Sequence, residues 1–291
     1  MTMNEAVIVE DLHYSYPPLV PGGEPIPVLR GVNLQVRRGE FLGLMGPTGC
    51  GKTTLCLALN GLVPQAAGGE FSGRVVVAGM DTREHTTAEM SEKVGLVFQD
   101  AESQLFNMTV EEEAAFGLES LSVPPQEMRE RVDWALRAVR LEDYRRRSPF
   151  HLSGGQKKRL AIASVLAMGL EVLVLDEPTT GLDPIGKYEV LSVIGELKRT
   201  MATTIIMVEQ ESEGIAAFAD RVAVLHEGRI AMEGTPREVF SQVGRMREIG
   251  LEVPQVSELA WMLNDKWQTD FRFINEEEAW RGLVDYLGNQ S

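Results

Sequence analysis

The hydrophobic pattern of the chain alternates between short apolar runs and longer segments with helical spacing. The short runs, whose central residues are all apolar, are "FLGLMG" (41–46), "KVGLVF" (93–98), "EVLVLD" (171–176) and "ATTIIMV" (202–208). Such runs are typical of strands that are covered on both faces. Segments with helical spacing lie between them, at 52–62, at about 99–168 and at 184–200. Strands that alternate with helices predict an α/β fold with a parallel-sheet core.

Other strands predict an antiparallel part beside this core. "AVIVEDL" (6–12), "GVNLQV" (31–36) and "GRVVVAG" (73–79) have strand patterns, and residues 221–234 have the pattern of a hairpin that turns at Glu227 and Gly228. After about Ser241 the composition changes, since three of the four tryptophans lie there. We therefore expect one domain over 1–240, with a helical subdomain at about 100–168, and a small helical accessory segment over 241–291.

Composition and charge bear on the compartment and the partners. The 291 residues carry a formal net charge of -15, and the basic face of a nucleic-acid binder is not expected from such a chain. Two cysteines, Cys50 and Cys56, are too few for a disulfide framework and fit a reducing compartment. The start of the chain lacks a signal-peptide pattern, and the longest apolar stretch is shorter than the ~20 residues that span a bilayer. Any membrane role is therefore expected to come through a partner.

The segment "GPTGCGKTT" has the spacing of a phosphate-binding loop. It follows a predicted strand and opens a predicted helix, which is the context that this motif requires. Its glycines let successive N–H groups point at a phosphate, and the helix N-terminus adds positive potential. We expect Lys52 to reach the β- and γ-phosphates of a nucleotide and Thr53 to bind Mg²⁺. The predicted nucleotide-binding residues of this loop are Gly46, Pro47, Thr48, Gly49, Cys50, Gly51, Lys52, Thr53 and Thr54.

From the residues alone, one alternative remains for the loop and one for Cys50. The bare motif also occurs in ordinary glycine turns. Cys50 is expected to be a small filler, although its position near Lys52 and a helix N-terminus also favours a lowered thiol pKa.

Two carboxylates follow the apolar run "VLVLD". Asp176 and Glu177 stand where a buried strand ends, and ligands of open α/β sheets bind outside the carboxyl ends of the strands. Asp176 suits Mg²⁺, directly or through water, and Glu177 suits a general base for the attacking water. The alternative is an acidic helix cap or a surface turn.

The segment "HLSGGQKKRLAIASVLAM" places two glycines at the start of a predicted helix. Ser153 stands where an N-cap is expected, and a helix N-terminus favours an anion. Taken alone, this segment is equally well explained as a capped helix without a ligand.

These motifs together resemble the ATP-binding subunits of ABC transporters. "GPTGCGKTT", "LSGGQ", "VLVLDEP" and "GLD" occur in the order of that family, and the resemblance covers about residues 6–240. It implies that two subunits sandwich two ATP molecules, each between the phosphate loop of one subunit and the signature of the other. The signature residues would be Ser153, Gly154, Gly155 and Gln156, with Asp183 coupling the two sites.

The resemblance also assigns the adenine contact and the transport subfamily. Tyr16 matches the aromatic residue that stacks on adenine, although Tyr14 lies two residues away on the same strand face. "VGLVFQDAESQLFNMTVEEEAAFGLE" is similar to the energy-coupling-factor and cobalt/nickel importer ATPases. There Gln99 would meet Mg²⁺ and water, and residues 99–106, ending at Phe106, would contact a transmembrane coupling subunit. Ala101 departs from the proline common at that position, and a plain amphipathic turn is the alternative for this segment.

The segment "IIMVEQE" departs from the family at a catalytic position. In the family, this strand ends on a histidine that contacts the γ-phosphate, and here the alignment puts Gln210 in its place. One interpretation is a degenerate site. The other, which we favour, is a neutral donor to the phosphate, because an amide offers two N–H groups. The expected catalytic set is Glu177, Gln210, Gln99 and Lys52, with Mg²⁺ held by Thr53, Gln99 and Asp176.

We therefore expect an ATP- and Mg²⁺-dependent motor of a membrane importer for vitamins or transition-metal ions. It would lie at the cytoplasmic face of the membrane, paired with a second ATPase subunit, with a transmembrane coupling subunit and a separate substrate-capture protein as further partners. The alternatives are a soluble ABC ATPase of repair or translation and an ATP-binding regulatory module. The accessory segment over 241–291, which is rich in aromatic residues, is expected to strengthen the dimer. The alternative is that its aromatic residues only cover the core of their own domain.

Overall fold

The computed structural model describes residues 4–288, which form ten strands and twelve helices besides three short 3-10 turns. In chain order, the strands are β1 (Glu5–Tyr16), β2 (Ile26–Arg37), β3 (Phe41–Met45), β4 (Glu70–Val77), β5 (Met80–Asp81), β6 (Val94–Val97), β7 (Val172–Asp176), β8 (Thr204–Val208), β9 (Arg221–His226) and β10 (Arg229–Gly234). The helices are α1 (Lys52–Leu59), α2 (Leu62–Gln65), α3 (Thr87–Ser91), α4 (Val110–Ser120), α5 (Pro125–Ala138), α6 (Gly154–Ala167), α7 (Pro184–Thr200), α8 (Ser212–Phe218), α9 (Pro236–Phe240), α10 (Val243–Ile249), α11 (Gln255–Trp267) and α12 (Glu276–Gly288).

The central sheet has the strand order β10-β9-β3-β8-β7-β6. Its strands run parallel from β9 to β6, and only β10 is antiparallel, as the second strand of the expected hairpin. Every residue of β3, β7 and β8 is buried, because helices or the second sheet cover both faces. The expected parallel core is therefore confirmed, and the carboxyl ends of β3, β6, β7 and β8 open at one edge.

The second sheet is antiparallel, with the order β2-β1-β4-β5. Helix α1 lies between the two sheets, and its Leu55, Cys56 and Leu59 are fully buried. They belong to one apolar core with Val7 of the small sheet and Leu44 of the central sheet. This packing fixes the start of α1 against the end of β3, and thus fixes the loop between them.

The helical subdomain consists of α4, α5 and α6, which follow β6 in the chain. Residues 99–168 form these three helices and three short 3-10 turns, and Pro124 precedes α5 while Pro149 begins the last 3-10 turn. The buried apolar faces of the helices join the core under the central sheet. Helix α6 then leads directly into β7, so its N-terminal residues are held at a fixed distance from the strand ends.

The chain after β10 forms four helices with two different environments. Val243, Met246, Leu251 and Val253 are buried in the core of the main body. From α11 onward, a separate small core forms around Ala260, Phe273 and Ala279. We therefore propose that the accessory segment begins near residue 255 rather than at Ser241. Within residues 4–288, every helix is too short or too polar to span a bilayer.

Candidate functional site

The loop between β3 and α1 has a backbone that only glycine permits at several positions. Gly49 and Gly51 have φ values of 81° and 108°, in the left-handed region. A β-carbon on Gly51 would also lie 2.9 Å from Leu29 Cδ2, and one on Gly46 would collide with the carbonyl oxygen of Leu225. The loop therefore wraps tightly and ends at the N-terminus of α1, as a phosphate-binding loop does.

The side chain of Lys52 is buried within this loop. It is 6% exposed, and its Nζ donates to the carbonyl oxygens of Gly46 at 2.7 Å and Pro47 at 3.2 Å. Nζ also lies 3.9 Å from Oε1 of Glu177. The ammonium is thus placed between the loop and the carboxylate of Glu177, in the position where a phosphate would need it.

A cavity of about 310 Å³ opens beside the loop and gathers residues from distant parts of the chain. Its lining includes the polar ends of three neighbouring strands of the central sheet, contributed by Gln99, Glu177 and Gln210. The lining residues are Val28, Thr48, Gly49, Gly51, Lys52, Thr53, Thr54, Gln99, Glu177 and Gln210. The predicted catalytic set, Lys52, Gln99, Glu177 and Gln210, therefore meets in one cavity.

The carboxylate of Glu177 accepts three hydrogen bonds in this cavity. Glu177 is only 5% exposed, and both of its carboxylate oxygens accept hydrogen bonds. Oε1 accepts from Gln210 Nε2 at 2.8 Å, and Oε2 accepts from Gln99 Nε2 at 2.9 Å and Thr180 Oγ1 at 3.0 Å. Three neutral donors thus fix the orientation of the carboxylate.

Asp176 is placed as a cation site would require. It is 2% exposed, and burial raises the pKa of its carboxyl, although a hydrogen bond from the Thr53 hydroxyl acts in the opposite direction. Within the described residues its Oδ1 has no hydrogen-bond partner. A buried carboxylate oxygen without a partner is costly, so the pair Asp176 and Thr53 fits a bound cation.

The two tyrosines of β1 have different roles. Tyr14 is 1% exposed, and its hydroxyl donates to the Gly68 carbonyl oxygen at 2.8 Å, so it belongs to the core. Tyr16 packs edge-on against Tyr14, with ring centroids 4.9 Å apart, and its Oη lies 3.2 Å from Thr54 Oγ1. Tyr16 is therefore the tyrosine that stands beside the phosphate loop.

The signature residues lie at the start of α6, outside the lining of this cavity. Ser153 caps the helix reciprocally with Gln156, since Ser153 Oγ accepts from Gln156 N at 3.3 Å and Gln156 Oε1 accepts from Ser153 N at 3.0 Å. A β-carbon on Gly155 would lie 3.2 Å from Gly186 Cα, so α6 and α7 approach closely here. Asp183 caps α7 by accepting from Gly186 N at 2.7 Å. The expected role of Asp183 across a dimer stays a prediction.

The environment of Cys50 contradicts a lowered thiol pKa. The residue is 7% exposed, and burial raises the pKa of its thiol, with Lys52 acting in the opposite direction. Burial raises the pKa of Cys56 further, since that side chain lies entirely within the core. Cys50 is therefore the small filler of the loop.

Two buried charged residues near the site were not predicted from the sequence. Glu209, which follows β8, is 3% exposed, and its Oε1 accepts from Thr179 N at 3.0 Å and from Thr179 Oγ1 at 2.7 Å. Burial raises the pKa of the Glu209 carboxyl. Lys158 of α6 is 6% exposed, and its Nζ donates to the main-chain carbonyl oxygen of Gln99. The only signal in the sequence was the position of Glu209 directly after a buried strand.

The segment after Gln99 forms an exposed apolar surface. Ala101–Gln104 is a 3-10 turn, and Phe106 is 56% exposed and Met108 75% exposed beyond it. The ring of Phe106 packs edge-on against Phe116 of α4, with centroids 4.7 Å apart. From the sequence, Glu113 is only an acidic residue of a helix first turn. In the structure it is buried and accepts hydrogen bonds from Phe106 N at 3.0 Å and Asn107 N at 2.8 Å, so it fixes this surface.

Comparison with known proteins gives consistent results. The sequence profile of the ABC transporter family matches residues 29–180. A Pyrococcus horikoshii protein named as an ABC transporter ATP-binding protein is 48% identical over 271 residues, which cover 93% of this chain and 94% of the relative. The energy-coupling factor transporter ATP-binding protein EcfA of Methanocaldococcus jannaschii is 39% identical over 284 residues, or 97% of this chain and 98% of the relative. Among solved structures, cbiO1 of Clostridium perfringens, part of the ABC transporter complex cbiONQ, matches with a TM-score of 0.73 and 34% identity, covering 88% of this chain and 98% of that one.

Proposed function

Because this chain belongs to the ABC transporter family, we propose that it is the motor subunit of a membrane importer of the energy-coupling-factor type. The protein is an ATP-hydrolysing cassette. The observation that carries the proposal is the cavity in which Lys52, Gln99, Glu177 and Gln210 meet beside a phosphate-binding loop. The similarity to EcfA and cbiO1 supports the importer subfamily.

The reaction follows from the positions of these side chains. Backbone N–H groups of the loop and Lys52 hold the β- and γ-phosphates of ATP. Glu177 takes a proton from a water molecule, the water oxygen attacks the γ-phosphorus, and the bond to the β-phosphate oxygen breaks to leave ADP and phosphate. Gln99 and Gln210 keep the carboxylate oriented through their hydrogen bonds of 2.9 and 2.8 Å. Thr53, Gln99 and Asp176 would hold Mg²⁺, which neutralises charge on the phosphates.

A second ATPase subunit is part of this proposal. The signature residues, Ser153 among them, stand apart from the residues that line the cavity of the same chain. The helix N-terminus that they form offers N–H groups to an anion. We propose that it closes the ATP site of a partner subunit, with Asp183 beside the junction, and that Tyr16 stacks on the adenine.

The membrane partner is proposed to dock on the surface formed by Phe106, Met108 and Phe116. These side chains are 44% to 75% exposed, and Phe106 lies seven residues after Gln99 in the chain, so we expect a partner that moves this segment to move Gln99 as well. The subunit would thus lie peripherally at the cytoplasmic face of the membrane. The cargo classes are vitamins or transition-metal ions, captured by a separate membrane protein. A repair or translation ATPase is less well supported, because the acidic chain does not suit a nucleic-acid partner.

Detergent co-purification from the native organism tests this function. We expect a polytopic membrane protein to elute with the wild-type chain and with Leu19→Asp, which changes a side chain 89% exposed on the β1–β2 loop. Phe106→Asp should lose the membrane protein and still bind ATP. A wild-type chain that elutes without any membrane protein would contradict the importer proposal.

A further inference from the structure

Lys158 connects α6, the helix that begins with the signature residues, to Gln99 and Glu177. These two residues form the amide–carboxylate pair of the proposed catalytic site. Lys158 lies five positions after the N-cap Ser153 on α6 and is 6% exposed. Its Nζ donates to the main-chain carbonyl oxygen of Gln99 and lies 3.4 Å from that of Glu177. The ammonium therefore holds the main chains of both residues at once.

The same two residues are joined a second time through their side chains. Gln99 Nε2 donates to Glu177 Oε2 at 2.9 Å. Gln99 follows β6 and Glu177 follows β7, so the bond spans two neighbouring strand ends. A side chain that fixes both carbonyl groups also fixes the distance between the amide and the carboxylate.

The surroundings of Lys158 explain why a buried cation is tolerated there. Burial lowers the pKa of its ammonium, and the carboxylates of Glu209, Asp100, Glu177 and Asp176 act in the opposite direction. An ammonium also offers three N–H donors and can serve two carbonyl groups. A methionine of similar length would leave both carbonyl oxygens without this donor, which is expensive in a buried place.

We propose that Lys158 is a positioning residue that ties the start of α6 to the Gln99–Glu177 pair of the same subunit. Among residues 4–288, the hydrogen bonds of Lys158 Nζ go to main-chain oxygens of Gln99 and Glu177, so we infer that it acts through the pair. Because α6 is rigid over this short distance, a displacement of the helix start also displaces the two carbonyl groups. The inference rests on the proposed function, in which the start of α6 meets the nucleotide of the partner subunit.

The test compares Lys158→Met, Lys158→Arg and a matched control in the purified assembly with its partner subunits. Lys198→Met is the control, because Lys198 Nζ also donates to a carbonyl oxygen, that of Phe218 at 2.6 Å, and to Asp220 Oδ1 at 2.6 Å, but does not line the cavity. We expect Lys158→Met to lower kcat on the order of 10- to 100-fold, as misplaced catalytic groups do. KM for ATP should change by less than about threefold. Lys158→Arg should restore part of the rate, and Lys198→Met should match the wild type.

A double-mutant cycle separates positioning from general damage. If Lys158 acts through the Gln99–Glu177 pair, the loss of kcat in the double variant Lys158→Met with Gln99→Ala should be smaller than the product of the two single losses. Losses that multiply, or a wild-type kcat in Lys158→Met, would overturn the inference. If Lys158→Met fails to fold, Lys158→Leu, which also lacks an N–H donor, takes its place in the same cycle. Co-purification with the membrane subunit is expected to be unchanged in these variants, so failure of the importer proposal would be seen separately.

Discussion

Gln210 donates a hydrogen bond from its Nε2 to Oε1 of Glu177, at 2.8 Å. The residue that we expect at the position of the family's histidine thus contacts the proposed general base directly. Because an amide nitrogen carries two N–H groups, the same side chain can orient Glu177 and still donate to a phosphate oxygen. The sequence did not predict this hydrogen bond to Glu177. The bond favours a working residue over a degenerate site as the interpretation of Gln210.

Changing Gln210 should therefore affect turnover more than binding. We expect Gln210→Ala to lower kcat by about tenfold or more, since it removes a donor that orients the reacting groups. Gln210→His should retain activity and add a pH-dependent limb near the histidine pKa of about 6.5. The measurement is the ATPase rate against pH for the three proteins in the native assembly. A Gln210→Ala protein that matches the wild type across the range would make Gln210 a bystander.

Glu177→Gln should separate ATP binding from hydrolysis. The substituted amide keeps the shape of the side chain but cannot accept a proton from water, so hydrolysis should fall by a factor on the order of 10² or more. MgATP binding should persist, because the phosphate loop is unchanged. Rapid-quench ATPase assays and nucleotide-binding titrations check the two parts. Hydrolysis at the wild-type rate would mean that the base lies elsewhere.

The parts of the fold and site that depend on local sequence were predictable. The apolar runs that became β3, β7 and β8 are fully buried, and a strand that is covered on both faces has a short, continuous apolar sequence. The phosphate loop was predictable because Gly49 and Gly51 must adopt left-handed φ values. These signals lie within a few residues of the structure that they specify.

The contacts of the site could not be predicted, because they join distant parts of the chain. Gln99 and Gln210 meet on Glu177 from 78 and 33 positions away, and only the strand order of the sheet brings them there. Lys158 has a basic residue on either side, Lys157 and Arg159, and the rotation of α6 decides which one faces the site. The packing of the core sets that rotation, so the sequence alone does not show which of the three basic residues faces the site.

The buried carboxylate of Glu209 should make stability depend on pH. Its pKa is raised in the folded protein by burial, with Glu177 and Glu211 adding to the shift, while hydrogen bonds from Thr179 act in the opposite direction. Lys158 also carries a charge close enough to interact with it. The folded state therefore binds more protons than the unfolded state above about pH 4.3, the ordinary glutamate pKa. Stability contributed by this group is full below that pH and is lost as pH rises through the folded pKa.

Glu209→Gln removes this titration and keeps an acceptor for Thr179. The free energy of unfolding of the variant, relative to the wild type, should therefore increase between pH 5 and pH 8. Urea unfolding at several pH values measures it. Thr179→Val, which removes the hydroxyl donor at 2.7 Å, should extend the loss of stability to higher pH than in the wild type. A difference between Glu209→Gln and wild type that is constant over this range would show that Glu209 does not titrate there.

The C-terminal segment offers two truncation points with opposite expected results. Val243, Met246, Leu251 and Val253 are at most 7% exposed and pack in the main core. Each such side chain contributes roughly 1.5–3 kcal/mol by burial, so their combined loss is comparable with the ~5–15 kcal/mol that stabilises a whole domain. Deletion of 241–291 should therefore unfold or severely destabilise the cassette.

Deletion of 255–291 should leave the cassette folded, because α11 and α12 have their own small core and are joined to the main body by exposed ion pairs such as Arg237–Glu278 at 2.8 Å. Trp280, Val284 and Leu287 of α12 are 72%, 48% and 56% exposed and share one helix face. We expect this face to contribute to the ATP-dependent dimer, so the deletion should weaken dimerisation without changing ATP binding. Light scattering with ATP in the Glu177→Gln background measures it, with Trp280→Asp as the minimal version of the deletion. Dimerisation as strong as that of the full chain in both variants would mean that these helices only cover their own core.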